Sequence, residues 1–254
     1  MRAPRGWRVA SGLLCAVAVV NVVAIGFWAP RSSPLVTTYA ALSGLASALG
    51  LAAAIALVAA GALAWREPAG GALGPVMLLA GIVWLAPDWV GWEGGPPLLR
   101  STGMLLAPLG AALLLHIVLA APRGRLPGRR ERAAVVLAYS LVLGLSVARA
   151  AVRDPFEDTN CWSNCTDNVF VIHADRGLAE ALGTAGLVLG VALGAAAAAI
   201  ALARLWRATR AGRRVLAPIL APAALASAGE AAYAAALLGT PAEDPEQAGF
   251  AALF

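Results

Sequence analysis

The residues best able to do chemistry crowd into one interval. Positions 158–177 read DTNCWSNCTDNVFVIHADRG, with two of the chain's three cysteines, one of its two histidines and three aspartates. Cys161, Cys165 and His173, with Asp158, Asp167 or Asp175 close by in sequence, are thiolate, imidazole and carboxylate donors of the kinds that zinc and copper accept. The C-x3-C spacing also fits a redox-sensing dithiol, or a disulfide closing a small ring, worth about 2 kcal/mol by chain entropy. The Cys161–Cys165 disulfide is the expectation, because a lone C-x3-C is a weak metal signal; no metal or cofactor is assigned. Asn164-Cys165-Thr166 fits the N-glycosylation pattern, a match that arises easily by chance.

Outside this interval ionisable groups are sparse. Glu230 lies in an apolar run, where an ionised group costs about 2.5–3.5 kcal/mol on insertion scales and turns toward the protein interior. It is expected to face other helices, protonated or hydrogen-bonded, and to hold them together or respond to a proton or ligand. Tyr233 follows it by one helical turn. His116 and Asn21 sit in other apolar runs, and Cys15 reads as a small apolar residue. No H-E-x-x-H, G-x-S-x-G or phosphate-cradling glycine loop occurs, so no catalytic motif is assigned.

The elements that must position these groups are membrane helices. Of 254 residues 60% are hydrophobic and 13% charged, against about 25% charged in a soluble domain. Every basic residue is arginine. Apolar runs near the roughly 20 residues that a spanning helix needs predict an all-α polytopic membrane protein. Seven spans are expected near 9–28, 40–65, 73–89, 98–121, 133–152, 178–205 and 215–238. Pro87 interrupts the third, and Pro218 and Pro222 should bend the seventh. Trp7, Trp28, Trp65, Trp84, Trp89, Trp92 and Trp206 fall at or near span ends, as an interfacial aromatic belt. The first span is longer than a signal-peptide core and ends in GFWAP, which favours an uncleaved helix. Gly186, Gly190 and Gly194 recur every four residues, a spacing that lets helices approach closely. Packing within the chain is the expected use, a dimer face the alternative.

Arginine sets the orientation. A cytoplasmic N-terminus places fourteen arginines inside, including Arg123, Arg125, Arg129, Arg130 and Arg132 in one turn and Arg204, Arg207, Arg210, Arg213 and Arg214 in another. Eleven of the fourteen acids then fall outside, and the loop 153–177 is extracytoplasmic. The arginine clusters read as topology determinants, with lipid rather than nucleic acid as the partner. The seventh span exits at GTPAEDPEQ, and AGFAALF, from residue 248, opens an eighth that seven residues cannot complete. The expectation is a chain that continues past Phe254.

The stretch HIVLAAPRGRLPGRRERAAVVLAYSLVL, residues 116–143, resembles a recurrent segment of actinobacterial sensor histidine kinases, in which a histidine-bearing membrane helix runs into P-x-G-R-L and an arginine-rich turn. Here those residues are His116, Pro122, Gly124, Arg125 and Leu126. The likeness extends diffusely over about residues 100–238. It implies the membrane-embedded input region of a two-component kinase: a homodimer whose intact parent is an ATP-dependent protein histidine kinase acting on a cytoplasmic response regulator. These 254 residues hold no phosphoacceptor helix and no ATP-binding motif. The alternative is a stand-alone polytopic membrane protein such as a transporter or scaffold.

Overall fold

The computed structural model describes residues 5–27, 44–66, 73–92, 94–157 and 166–239. Nine α-helices account for nearly all of them: α1 (Arg5–Phe27), α2 (Gly44–Arg66), α3 (Leu73–Trp84), α4 (Ala86–Val90), α5 (Pro97–Leu106), α6 (Leu109–Ala120), α7 (Arg129–Val152), α8 (Arg176–Arg207) and α9 (Arg210–Gly239). Five segments are long and apolar enough to cross a membrane, Ser47–Arg66, Leu73–Val90, Arg129–Val152, Arg176–Arg207 and Arg210–Gly239. A sixth crossing forms if α5 and α6, bent by 46° at Ala107–Pro108, count as one span. The apolar part of α1, Ala10–Gly26, is shorter. The chain is therefore an all-helical, multi-span membrane protein, with five or six candidate spans among the described residues where the sequence predicts seven. The partial eighth span lies outside the described residues.

Two spans are broken, the third beside Pro87 as expected and the fourth at Pro108, against expectation. Leu85 separates α3 from α4, with Pro87 in the first turn of α4. Proline has no N–H to continue the ladder and clashes with the turn before it. Pro108 does the same between α5 and α6, where the sequence predicts one continuous span. By contrast, α9 runs unbroken as a helix through Pro218 and Pro222.

The pairs α1–α2, α2–α3 and α8–α9 run antiparallel. Ala18 packs with Val58, Leu78 and Ile82, and Ile25 with Ala54 and Leu85, which sets α1 antiparallel to α2 and parallel to α3. His116 meets Tyr139 across α6 and α7. On α8, Gly194 meets Ser227 and Ala231 of α9, and Gly190 meets Ala234. The central element is α6, packed by α3, α7, α8 and α9, with nine of its twelve residues buried.

Lipid tails are as apolar as leucine, so close packing rather than water exclusion must hold such helices together. Glycine makes the closest approaches. A Cβ on Gly74 of α3 would lie 2.7 Å from Trp65 Cβ and 2.8 Å from the Gly61 carbonyl of α2. A Cβ on Gly194 would lie 2.7 Å from the Ser227 carbonyl. Gly190 and Gly194 thus serve packing within the chain, while Gly186 faces open space. Large apolar side chains such as Val136, Leu137, Leu141, Val188 and Leu225 point outward, as lipid-facing residues do.

One polar lock crosses the first bundle. The Trp89 indole N–H donates to Asn21 Oδ1 at 2.8 Å, and Asn21 Nδ2 donates to the Ile82 carbonyl at 3.3 Å, beside the break that ends α3. Trp89 therefore does interhelical work that an interfacial reading does not capture. Cys15 is a free thiol packed among apolar neighbours.

Candidate functional site

Helix α7 must end with four carbonyls that lack intrahelical partners, and residues 166–175 supply nearly all of them. The Arg149 carbonyl accepts from Arg153 N–H at 2.9 Å. The Ala150 carbonyl accepts from Asn168 Nδ2 at 2.8 Å. The Ala151 carbonyl accepts from the N–H groups of Ile172 (2.8 Å) and His173 (3.2 Å), and that of Val152 from Asp175 N–H at 2.9 Å. Asn168 Nδ2 also donates to the Arg153 carbonyl at 2.9 Å, and its Oδ1 accepts from Phe170 N–H at 3.1 Å. On the other side, the fully buried Ser101 of α5 accepts from Val169 N–H at 3.1 Å and donates to the Asp167 carbonyl at 3.4 Å. Asp175 then caps α8, its Oδ1 accepting from Leu178 N–H at 2.9 Å. This short polar segment ties α5, α7 and α8 together at one end of the molecule, the loop end.

The donors proposed for a metal are spent differently. His173 is exposed and enters the cap through its backbone, Asp167 offers its carbonyl, and Asp175 is a helix cap. No group of three His, Cys, Asp or Glu side chains able to hold a metal occurs among the described residues. Cys161 and Cys165 lie outside the described residues, and with them the disulfide and dithiol readings. Beside the cap, Arg149, Arg153, Arg176, Asp154, Glu157 and Glu180 line a small open cleft between α7 and α8. Arg176 Nε pairs with Glu180 Oε1 at 2.8 Å, and Gly183 leaves room for Arg149, whose Nε would lie 3.2 Å from a Cβ placed there.

Glu230 lies on α9 facing α6. Its Oε1 is 3.5 Å from where a Cβ on Gly110 would stand, in the first turn after the Pro108 break. Because α6 has 12 residues, the break lies about 18 Å from the far end of that helix at 1.5 Å per residue, close to the middle of a hydrocarbon core about 30 Å thick. The Glu230 carboxyl group makes no hydrogen bond or ion pair to another described residue. One turn earlier, Ser227 Oγ is completely buried and also lacks a hydrogen-bond partner among the described residues. The carboxyl group, the unsatisfied hydroxyl and the bend form a polar locus inside the bundle.

The opposite, arginine end is closed by guanidinium groups. Arg204 of α8 forks onto α6, donating to the Val118 carbonyl and, at 2.6 Å, to the Ala121 carbonyl. Arg213 donates from Nε to the Leu205 carbonyl at 3.0 Å and from Nη2 to the Trp206 carbonyl at 2.9 Å, capping α8. Arg100 does likewise near the loop end, donating from Nε to the Val90 carbonyl at 2.9 Å. A cation at a helix C-terminus also complements the macrodipole. On α6 itself, His116 Nδ1 lies 3.2 Å from Tyr139 Oη, with the rings edge to face. His116 and His173 belong to opposite ends and share no site.

P-x-G-R-L is a helix-ending turn. Gly124 is buried at φ 68°, and its N–H donates to the Ala120 carbonyl at 2.9 Å. That left-handed conformation is free of steric cost only for glycine. Leu126 packs against the main core, while Pro122 and Arg125 are exposed.

Sequence reasoning did not single out Asn168, Ser101 or Gly110. Only the Asn168–Val169–Phe170 run at the foot of a helix hinted at a side-chain cap, and nothing local marks the other two. Comparison with protein families, with curated proteins and with solved structures finds no match for this chain.

Proposed function

We propose that this multi-span membrane protein is of the transporter type, with Glu230 as its working group. The observation that carries the reading is the Glu230 carboxyl group beside the break between α5 and α6. A carboxyl group without a partner among the described residues, at mid-membrane depth, has the chemistry to take up a proton or a monovalent cation. Discontinuous helices meeting near the bilayer midplane are where secondary transporters place such groups. Here the two broken spans pack against each other, α3 on α6 and α4 on α5. The test is flux. The full chain in liposomes loaded with a pH-sensitive dye, under an imposed sodium or potassium gradient, is expected to move protons or the cation. Glu230→Gln should cut that movement at least tenfold while inserting normally. Flux no greater than in protein-free liposomes overturns the reading.

A second reading is favoured by the cap on α7. In the input region of a sensor histidine kinase, residues 166–175 would couple an extracytoplasmic loop to α5, α7 and α8, and P-x-G-R-L would mark the family. A phosphoacceptor helix and an ATP-binding domain encoded beyond Phe254 would establish it, together with homodimers and phosphotransfer to a response regulator.

A further inference from the structure

We propose that the arginine end of the bundle is a binding surface for the headgroups of anionic phospholipids. The α6–α7 turn and the α8–α9 turn meet there, because Arg204 fastens the end of α8 to the carbonyls that end α6. Arg125, Arg129 and Arg130 on one turn and Arg207, Arg210 and Arg214 on the other are all exposed. None of the six guanidinium groups has a hydrogen bond or ion pair to another described residue. Glu131 is the one described acid within these turns.

The opposite end uses its arginines differently. Arg176 is paired with Glu180 and Arg100 is spent on a helix carbonyl, while Arg149 and Arg153 line a cleft shared with Asp154 and Glu157. Among the described residues the excess of uncommitted guanidinium is thus confined to one end. Guanidinium is a planar, permanently charged fork that matches phosphate oxygens two at a time. Both turns join spanning helices, so the nearest phosphates are those of the adjoining leaflet. Trp206, 84% exposed beside Arg207, is the amphipathic ring that suits the headgroup level. A headgroup with two phosphates, as in a diphosphatidylglycerol, could engage both turns at once.

The surface is tested on the purified full chain in mild detergent. Phosphatidylglycerol, diphosphatidylglycerol and phosphatidylcholine are added in turn, and bound lipid is counted by native mass spectrometry. The anionic lipids are expected to be retained at least fivefold over phosphatidylcholine, and retention should fall as salt rises. Arg125/Arg129/Arg130→Gln and Arg207/Arg210/Arg214→Gln should each bring the preference below twofold. The matching Arg→Lys variants keep the charge and should retain part of it, so they carry the test if a glutamine variant fails to fold. Equal retention of all three lipids by the native chain overturns the proposal, as does an unchanged preference in both glutamine variants. Complete displacement by millimolar inorganic phosphate would assign the surface to free phosphate instead. Binding of a duplex DNA oligonucleotide as tight as that of the lipids would assign it to nucleic acid; both results overturn the lipid reading.

Discussion

Asn168 stands 2.8 Å from the carbonyl of Ala150, and through that contact a polar segment far along the chain finishes helix α7. The same amide nitrogen reaches the Arg153 carbonyl, so one buried side chain satisfies two backbone acceptors. Deleting it leaves both without a donor. Asn168→Ala is expected to lower stability by about 1–3 kcal/mol, the cost of a buried unsatisfied polar group. Thermal melting in detergent measures this, and hydrogen exchange at residues 166–175 should rise with it. Asn168→Asp should be at least as damaging, because a carboxylate turned toward two carbonyls has no hydrogen to give. Wild-type stability for both variants would mean that the cap contributes nothing.

The close crossing of α8 and α9 makes a positional prediction. A side chain at Gly194 collides with the Ser227 carbonyl, whereas one at Gly186 meets nothing within 4 Å. Gly194→Val is therefore expected to force the helices apart and cost about 1–3 kcal/mol, as overpacking does. Gly186→Val should stay within about 0.5 kcal/mol, the range of open surface sites. Cysteine cross-linking between Ala197 and Ala224, buried residues of α8 and α9 that the Gly194–Ser227 register places opposite each other, reports whether the crossing survives. Equal effects at the two glycines would contradict the packing described.

Asn21 and Trp89 offer a smaller effect with a clear sign. Interhelical hydrogen bonds in membranes average about 0.6 kcal/mol in double-mutant cycles. Asn21→Leu and Trp89→Phe should each destabilise the protein, and the double variant should cost less than the two single changes added together. Strict additivity would show that the 2.8 Å contact carries no coupling.

The long helices were legible because their apolar runs are uninterrupted: α7, α8 and α9 lie within a few residues of the predicted spans. The break beside Pro87 was legible too, but the one at Pro108 was not. Hydropathy continues straight across Pro108, and averaging over a window hides a single missing N–H. Glu230 was legible as a lone acid among alanines, and its turn toward a neighbouring helix follows from the cost of ionisation in lipid. Its neighbour Gly110 was not, since only tertiary packing brings α6 to α9. The arginine clusters read as topology signals, yet Arg204 and Arg213 also close helix ends. Charge bias along a sequence cannot separate a capping guanidinium from a free one.

In the transporter reading proposed here, Glu230 sets stability against function. Its carboxyl group has no hydrogen-bond partner among the described residues and faces Gly110 across a helix contact. Glu230 is half-buried, and a polar group withdrawn from water in that condition costs up to about 1–3 kcal/mol by protein mutational data. Replacing it should therefore stabilise the fold, the reverse of what a glutamate that glues helices together would do. Glu230→Leu, close in volume and without polar atoms, is expected to raise the melting temperature the most. Glu230→Gln should raise it less, because its amide still carries polar atoms into the same place. Both should lose the proton or cation uptake proposed for the native chain, since neither can bind or release a proton there. Melting curves in detergent and flux in liposomes, measured on the same preparations, decide the matter. A lowered melting temperature for both variants would give Glu230 a structural partner, and would turn the residue from a working group into a brace.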